Sequence, residues 1–468
     1  MSNETRQLAE FVAEASPENL PGHLYDCATD CVLDTLGVAL FGTTQPWSEM
    51  IASYGRRMAA GATQSSATII AKDWKAPPGI AALINGAAGH AFELDDVHDE
   101  SLLHPGTVVV PAALAVGEDV KVTGQELLTA VIVGYELMVR AGLGVGAVSH
   151  MLGGFHSTGT NGVFGAAATA AKLLRLDATR TVHSLGVAGS MAGGLMEFSQ
   201  TGGMVKRIHA GRAAESGIIA AYLAAEGFTG PSSVLEGEYG FCKVFSSAPE
   251  PERLLRRPEG AYAIEETTRK PYACCSDLHA GIDCIADIRR KADVDPEKVA
   301  RIVIHCYEKL VRQNTLDGTA SIMAAQYSIT FTIAAAFYHD MSDPRVYCAD
   351  VIADPRIARL AERVEVRVDP EFDALYPSKM PTRIDVEMSD GKVLTAQVIG
   401  AKGHFENPLS AGEIEAKFRN LADGILSPSQ VDGAIAAVSE LDSADSLRDL
   451  LACVVPAPMG GGERRAQV

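Results

Sequence analysis

Apolar and polar positions follow a helical period through the first half of the chain. Residues 5–15 and 24–42 read as helices; in the second, Leu24, Cys27, Cys31, Leu33, Leu36, Val38 and Leu40 surround most of the circumference, the pattern of a buried helix. Further helices are predicted at 47–60, at 79–92 after the Pro77–Pro78 punctuation, and from near Val110 with Pro111 in the first turn, where proline is tolerated. The segment 124–141 is strongly helical, GLGVGAVSHMLGG reads as a glycine-rich loop, and GVFGAAATAAKLL, 179–194 and 209–226 return to helix. Ala/Gly enrichment in these helices predicts close packing, and 226–246 reads as a turn plus a helix.

The period changes after a Pro- and charge-rich stretch at 247–265. VARIVIHC (299–306) alternates as a strand does, 321–339 reads as one long apolar helix, 364–368 and 384–388 alternate again, and SDGK (389–392) before VLTAQV is a hairpin signal. The predicted fold class is therefore mainly α with a smaller α+β domain: a helical domain over 1–265, an α+β domain over 266–404, and C-terminal helices at 405–456 that pack back on the helical domain. The ending at 457–468 reads as a disordered tail.

Composition narrows the function classes. The formal net charge is −19, which argues against nucleic-acid partners and against adhesion to an anionic membrane. A locally positive pocket for a small anion remains compatible with that sign. Nine cysteines form no CxxC pair and no framework spacing, so reduced thiols and a cytoplasmic location are expected. The N-terminus has no signal-peptide pattern, and no apolar run is read as reaching the roughly 18 residues of a membrane span.

Candidate chemistry is concentrated in ELDDVHDESLLHPGTVVVP, which starts at Glu93 and places Asp95, Asp96, His98, Asp99, Glu100 and His104 between two apolar segments. A solvated acidic loop has the same composition; titratable groups crowded between buried segments must be paired, solvated or used. Three later stretches supply complementary groups. FHSTGTN carries His156 with Ser157 and Thr158 at a helix start, a place suited to a carboxylate as well as to simple capping. KRIHAGR carries Lys206, Arg207 and His209, and RKPY carries Lys270, which precedes a proline and so lies on extended backbone. His279 and the adjacent Cys274 and Cys275 read as structural. Carboxylates and imidazoles exchange protons near neutral pH, and cations stabilise an enediolate-like charge, so the set fits proton chemistry on a small polycarboxylate. GLGVG follows a helix and lacks the full dinucleotide spacing, and no P-loop, GxSxG or HExxH is present.

The stretches GHAFELDDVHDESLLHPGTVVVPAALAVGE, GYELMVR, FHSTGTNGVFGAAATAAKLL, KRIHAGRAAESGIIAAYLAAEGFTGP, KPYACCSDLHAGID, AAQYSITFTIA and ENPLSAGEIEAKF resemble the MmgE/PrpD family, in family order through almost the whole chain. The family includes 2-methylcitrate dehydratase, cis-aconitate decarboxylase and iminodisuccinate epimerase. The resemblance implies a helical domain formed by the N-terminal part and the C-terminal tail, an inserted α/β lid domain, a cleft between domains, a homodimer and no organic cofactor or metal. It implies site residues His104, His156, Lys206 and Lys270, with an acid from ELDD; Glu93 stands where the family commonly has Asp, so Glu93, Asp95 and Asp96 all remain candidates. From their own positions and charge, Ser157, Thr158, Arg207 and His209 are read as substrate-binding groups. The short segment ending HPGTV is nearer the decarboxylase and epimerase branches than the longer dehydratase form.

The resulting expectation is a cofactor-independent epimerase or lyase that moves a proton next to a carboxylate of a small di- or tricarboxylate, with methylcitrate-type dehydration ranked below. The competing readings are a metal-dependent hydratase or hydrolase using Asp95, His98, Asp99 or Glu100, and His104 as ligands, and a carboxylate-binding protein without catalysis. An iron–sulfur hydratase lacks cysteines at cluster spacing.

Overall fold

A computed structural model of the chain describes residues 3–63, 65–255, 261–315, 317–318, 320–376 and 379–456. The tail read at 457–468 and part of the stretch at 247–265 lie outside the described residues. The chain divides into two units: residues 1–91, 95–267 and 414–468 form the first, and residues 92–94 and 268–413 the second.

The first unit is helical. Its main elements are α1 (Glu4–Glu14), α2 (His23–Gly42), α3 (Pro46–Met58), α4 (Pro78–Gly89), α5 (Gly106–Val120), α6 (Gly124–Gly144), α7 (Ala147–Leu152), α8 (Ser157–Leu173), α9 (Ala178–Gly189), α10 (Phe198–Thr201) and α11 (Lys206–Ala225). A two-residue ladder, β1 (Ala67–Thr68) with β2 (Lys75–Ala76), is an element the periodicity does not reveal. α8 packs along α6 and α11, and α11 crosses α4, so helices dense in Ala and Gly form the centre. Leu114, Leu127, Tyr135, Phe164 and Ala213 are among its buried side chains. The C-terminal helix Ala411–Ala422 is tied to α2 by the buried pair of Lys417 Nζ and Asp34 Oδ1 at 2.6 Å.

Several predicted boundaries shift. α5 starts at Gly106, so Pro111 lies inside it rather than in its first turn. α6 continues to Gly144 and α7 follows at Ala147–Leu152, so nine of the thirteen residues of the glycine-rich segment read as a loop are helical. α9 stops at Gly189, and of 226–246 only Phe241–Val244 is helical. α6 is also long and apolar enough to cross a membrane, contrary to the expectation that no run reaches that length. It is buried within its unit, and its Glu136 and Arg140 pair with each other at 2.6 Å.

In the second unit, strands β3 (Val299–Cys306), β4 (Val364–Val368), β5 (Thr382–Met388) and β6 (Val393–Val398) form a sheet of order β4-β3-β5-β6. β3 and β4 are parallel, with Ile302 opposite Val364; β5 runs antiparallel to β3 and to β6, with Ile304 opposite Ile384 and Ile384 opposite Ala396. The helix His279–Lys291 packs on β5 and β6. The long helix predicted at 321–339 is two short ones, Ile322–Gln326 and Ile329–Ala335. Ser328 interrupts it, its hydroxyl accepting from Phe331 N–H at 3.4 Å as the N-cap of the second piece. The interruption frees Gln326 and Tyr327 for work described below.

The α4–α11 crossing depends on Gly211, where a Cβ would collide with the carbonyl oxygen of Leu83. We expect Gly211→Ala to destabilise the protein by about 2 kcal/mol or more, as overpacking a tight core does. Gly412→Ala, at a position with open space around it, should be near neutral; chemical denaturation of both variants checks the contrast.

Candidate active site

Within the first unit, four imidazoles gather around one carboxylate. His90 caps the C-terminal end of α4, the loop after it carries Asp95, Asp96 and His104, His156 is the N-cap residue of α8, and Lys206, Arg207 and His209 open α11. His90 Nδ1 lies 2.6 Å from Asp95 Oδ2, and His104 Nδ1 lies 3.4 Å from the same oxygen. Ring centroids are 5.2 Å apart for His90 and His104, 5.5 Å for His90 and His156, and 5.0 Å for His156 and His209.

The geometry assigns tautomers. His104 Nδ1 is 2.7 Å from the carbonyl oxygen of Asp96, which only accepts, so Nδ1 carries a proton and Nε2 is the basic nitrogen of the neutral ring. The backbone N–H of His104 donates to Thr158 Oγ1 at 3.1 Å, which fixes this residue against the start of α8. His156 and His209 share an Nδ1–Nδ1 contact of 3.0 Å, so one ring donates and the other accepts. Burial, reinforced by the neighbouring imidazoles and Lys206, holds His156 well below the usual imidazole range. Burial and the same positive neighbours bring His209 down to about 4. Both rings are therefore neutral at physiological pH and act through hydrogen bonds or proton relay rather than as cations.

The acids of the loop separate by environment. Asp95 faces the imidazoles. Asp96 turns to the helix side, where Tyr135 O–H donates to Oδ2 at 2.6 Å and Gly106 N–H donates to Oδ1 at 2.9 Å. Burial, with Asp34 and Asp95 nearby, pushes Asp96 up to about 7 against those two donors. Gly106 has to be glycine here: a Cβ would sit 2.7 Å from the Tyr135 hydroxyl and 2.8 Å from Asp96 Oδ2. His98 bonds Ser101 Oγ at 2.8 Å and Glu100 pairs with Arg253, so these members of the loop serve local structure. No group of three or more His, Cys, Asp or Glu side chains that could hold a metal ion occurs among the described residues.

Lys206 and Arg207 are both 6% exposed, and Arg207 stacks over Trp47 with its guanidinium carbon 5.6 Å from the ring centre. Ser157 Oγ is buried at the first residue of α8 and has no hydrogen-bond partner among the described residues. The start of α8 carries the positive end of its helix dipole beside Ser157, whereas the first amides of α11 are taken by the preceding turn, Arg207 N–H donating to Met204 O and Ile208 N–H to Val205 O, so α11 contributes its Lys206 ammonium.

The second unit holds its own group. Lys270 is 2% exposed and its Nζ lies 3.3 Å from the carbonyl oxygen of Glu93. Tyr327 O–H donates to Glu93 Oε2 at 3.1 Å. Gln326 Nε2 donates to the carbonyl oxygens of Phe92 at 3.0 Å and Ala273 at 2.9 Å, clamping the Glu93 segment to the one that follows Lys270. Glu93 has φ of +57°, a left-handed conformation uncommon for a side chain of this kind. Cys274 and Cys275 are pushed up to about 12 by burial and are inert thiols.

Thus Asp95, Asp96, His104, His156, Ser157, Thr158, Lys206, Arg207 and His209 lie in the first unit, and Glu93 and Lys270 in the second. Sequence reasoning did not single out His90, Tyr135, Gln326 or Tyr327. His90 sits in an Ala/Gly-rich segment that reads as plain core, and only its distance of five positions from Asp95 hints at a partner.

The MmgE/PrpD N-terminal domain matches residues 6–254 and the MmgE/PrpD C-terminal domain matches residues 272–443. The chain belongs to the MmgE/PrpD family. It is 28% identical over 490 residues to a cis-aconitate decarboxylase of Aspergillus terreus, covering 98% of each chain. It is 27% identical over 480 residues to the cis-aconitate decarboxylase-like protein oryM of Aspergillus oryzae, covering 97% of each. It is 28% identical over 455 residues to human cis-aconitate decarboxylase, covering 93% of this chain and 92% of the relative. Membership and these full-length likenesses make the chain an enzyme of the lyase class.

The raised Asp96 has a measurable consequence. Its folded value of about 7 exceeds the unfolded value of about 3.9, so its stabilising effect is full below pH 4 and is lost as pH rises through 7. Between pH 5 and 8 that is about 2 kcal/mol of lost stability. Asp96→Asn cannot titrate; we expect its stability deficit relative to wild type to shrink by about this amount from pH 5 to pH 8, measured by urea denaturation at both pH values.

Proposed function

We propose that the protein decarboxylates a small tricarboxylate of the cis-aconitate type. The observation that carries this reading is the His104–Asp95 pair among neutral imidazoles and beside the buried Lys206. The relatives' activity supports it. In the proposed reaction the bond from carbon to one carboxylate breaks and CO2 leaves. The electron pair spreads through the adjoining double bond and carboxylate, and a proton then closes the carbon. His104, with Nε2 as its exchanging nitrogen, is proposed to deliver that proton, and Asp95 to stabilise the imidazolium that precedes delivery. Lys206, Arg207 and the start of α8 with Ser157 and Thr158 are proposed to hold carboxylates that stay. We propose Lys270 and Glu93 as further substrate groups, with the ammonium binding a carboxylate. No organic cofactor is invoked.

Epimerisation needs the same proton-transfer groups, so the experiment must separate outcomes. The enzyme is incubated in deuterated water with cis-aconitate, iminodisuccinate and 2-methylcitrate, following CO2 release and deuterium content. We expect CO2 from cis-aconitate with one deuterium placed in each product molecule. Deuterium exchange without CO2 moves the assignment to an epimerase; water loss from 2-methylcitrate moves it to a dehydratase. His104→Ala and Lys206→Ala should each lose at least about 100-fold in rate, and near-wild-type turnover removes that group from the mechanism.

We extend the proposal to a cytoplasmic homodimer. All nine cysteines are free thiols, which suits a reducing compartment. Val148 and Leu152 on α7, Leu195, and Met204 and Val205 before α11 are 50–77% exposed and flank the segments that carry His156 and Lys206. A second copy of the chain is the partner proposed to cover them. Analytical ultracentrifugation should find a dimer that Leu152→Glu with Leu195→Glu weakens at least tenfold; a wild-type monomer at micromolar concentration refutes it.

A further inference from the structure

We propose that His90 is a positioning residue of this enzyme: by donating from Nδ1 to Asp95 it fixes where the shared carboxylate sits against His104 and how strongly that carboxylate acts. The inference rests on His104 being the proton-transfer group proposed above.

Three observations carry it. His90 Nδ1 approaches Asp95 Oδ2 to 2.6 Å, whereas His104 Nδ1 is 3.4 Å from the same oxygen and 2.7 Å from the Asp96 carbonyl. Asp95 is thus gripped by His90 and only leaned on by His104. His90 is 1% exposed, and its Nε2 has no hydrogen-bond partner among the described residues, so the ring's one directional contact there is the carboxylate. Its backbone is anchored independently of its side chain: His90 N–H donates to Gly86 O at 3.0 Å as α4 ends, and Arg207 Nη1 reaches the His90 carbonyl oxygen at 3.5 Å. A helix end therefore aims this imidazole at Asp95, and the titratable and charged groups around it include Asp95, His104, His156, His209 and Arg207, with Lys206 contributing to the same field.

The physical effect has one sign. A short hydrogen bond from His90 delocalises the Asp95 charge and weakens its hold on an imidazolium at 104. Without His90, the carboxylate loses a donor at 2.6 Å, its charge is more localised, and the Asp95–His104 pair retains a proton to higher pH. A positive charge on His90 would act in the same direction, since removing it also favours protonation of the pair. His90 thereby keeps His104 ready to release its proton, and keeps Asp95 from rotating onto the ring.

The test uses the full-length enzyme and two substitutions. His90→Ala removes the donor; His90→Asn places an amide N–H close to where Nδ1–H stood. Proton uptake by the Asp95–His104 pair is followed by 15N NMR of labelled histidine, with the His104 signal assigned from its loss in His104→Ala. We expect His90→Ala to move that midpoint to higher pH and to lower kcat by roughly 10- to 100-fold with little change in KM. His90→Asn should restore the wild-type midpoint and most of kcat. An unchanged midpoint in His90→Ala, or an asparagine variant no better than alanine while both keep the wild-type thermal midpoint, overturns the proposal. Should His90→Ala fail to fold, His90→Asn alone decides: a midpoint displaced from wild type despite the retained donor overturns it. The NMR measurement needs no turnover, so failure of the decarboxylase assignment on the substrate panel remains distinct from failure of this one.

Discussion

One buried carboxylate with two claimants sets the terms for the rest of the first unit. Asp95 is 4% exposed, and an ionised carboxyl so placed is tolerated only where donors and positive charge compensate for lost water. His90 supplies a donor at 2.6 Å, His104 stands 3.4 Å away, and Lys206 supplies charge in the neighbourhood. The same balance decides the fate of adjacent groups. Burial, with like charge from Asp34 and then Asp95 adding to it, displaces Asp96 to about 7 with two donors already on it. Burial likewise disfavours positive charge on His156 and His209, His90 and Lys206 add to it, and both rings stay neutral. The cluster thus holds one acid displaced to about 7, Asp96, and two imidazoles, His156 and His209, that resist protonation.

Close helix packing is what brings those members together. The side chains come from four separate stretches: His90, His156 and the Lys206–His209 run stand at helix ends, and Asp95, Asp96 and His104 on the loop between α4 and α5. Gly211 lets α11 lie on α4, which brings Lys206, Arg207 and His209 toward His90. Gly106 lets Asp96 and Tyr135 meet at the start of α5, so that the Asp96 carbonyl faces His104. The dense Ala/Gly content of these helices is therefore a requirement of the site as much as of the core.

The helical first unit and the sheet of the second are legible from period alone, because long buried helices and alternating strands leave strong patterns. What fails is instructive. The predicted helix at 321–339 is split because Ser328 caps a new start, while Gln326, the last residue of the first piece, and Tyr327 just after it hold Phe92 and Glu93, more than 230 positions away. No local signal reports so distant a demand. Among the site residues, His104, His156 and Lys206 stand in motifs whose polarity contrasts with their surroundings. His90 does not, since a lone histidine in an Ala/Gly segment looks like core until Asp95 is placed 2.6 Å from it. The roles of Asp95 and Asp96 also need coordinates: adjacent residues point to opposite sides, and sequence adjacency conceals the difference.

The neutrality of the imidazoles bears on the kind of reaction such a cluster favours. A carboxylate that leaves as CO2 sheds its charge on the way to the transition state. A cation bound to it therefore stabilises the starting state more than the transition state, and slows the step. Cations help when they hold the carboxylates that stay and receive the spreading electron pair. In the proposed decarboxylation a cluster of four imidazoles, of which His156 and His209 resist protonation, would face a departing carboxylate without clamping it, while Lys206 would hold another end of the substrate. Were His156 and His209 cations, the same residues at the same positions would make a better binder and a poorer decarboxylase. The desolvation that keeps them neutral is thus part of the chemistry, and it follows from the same tight packing that assembles the site.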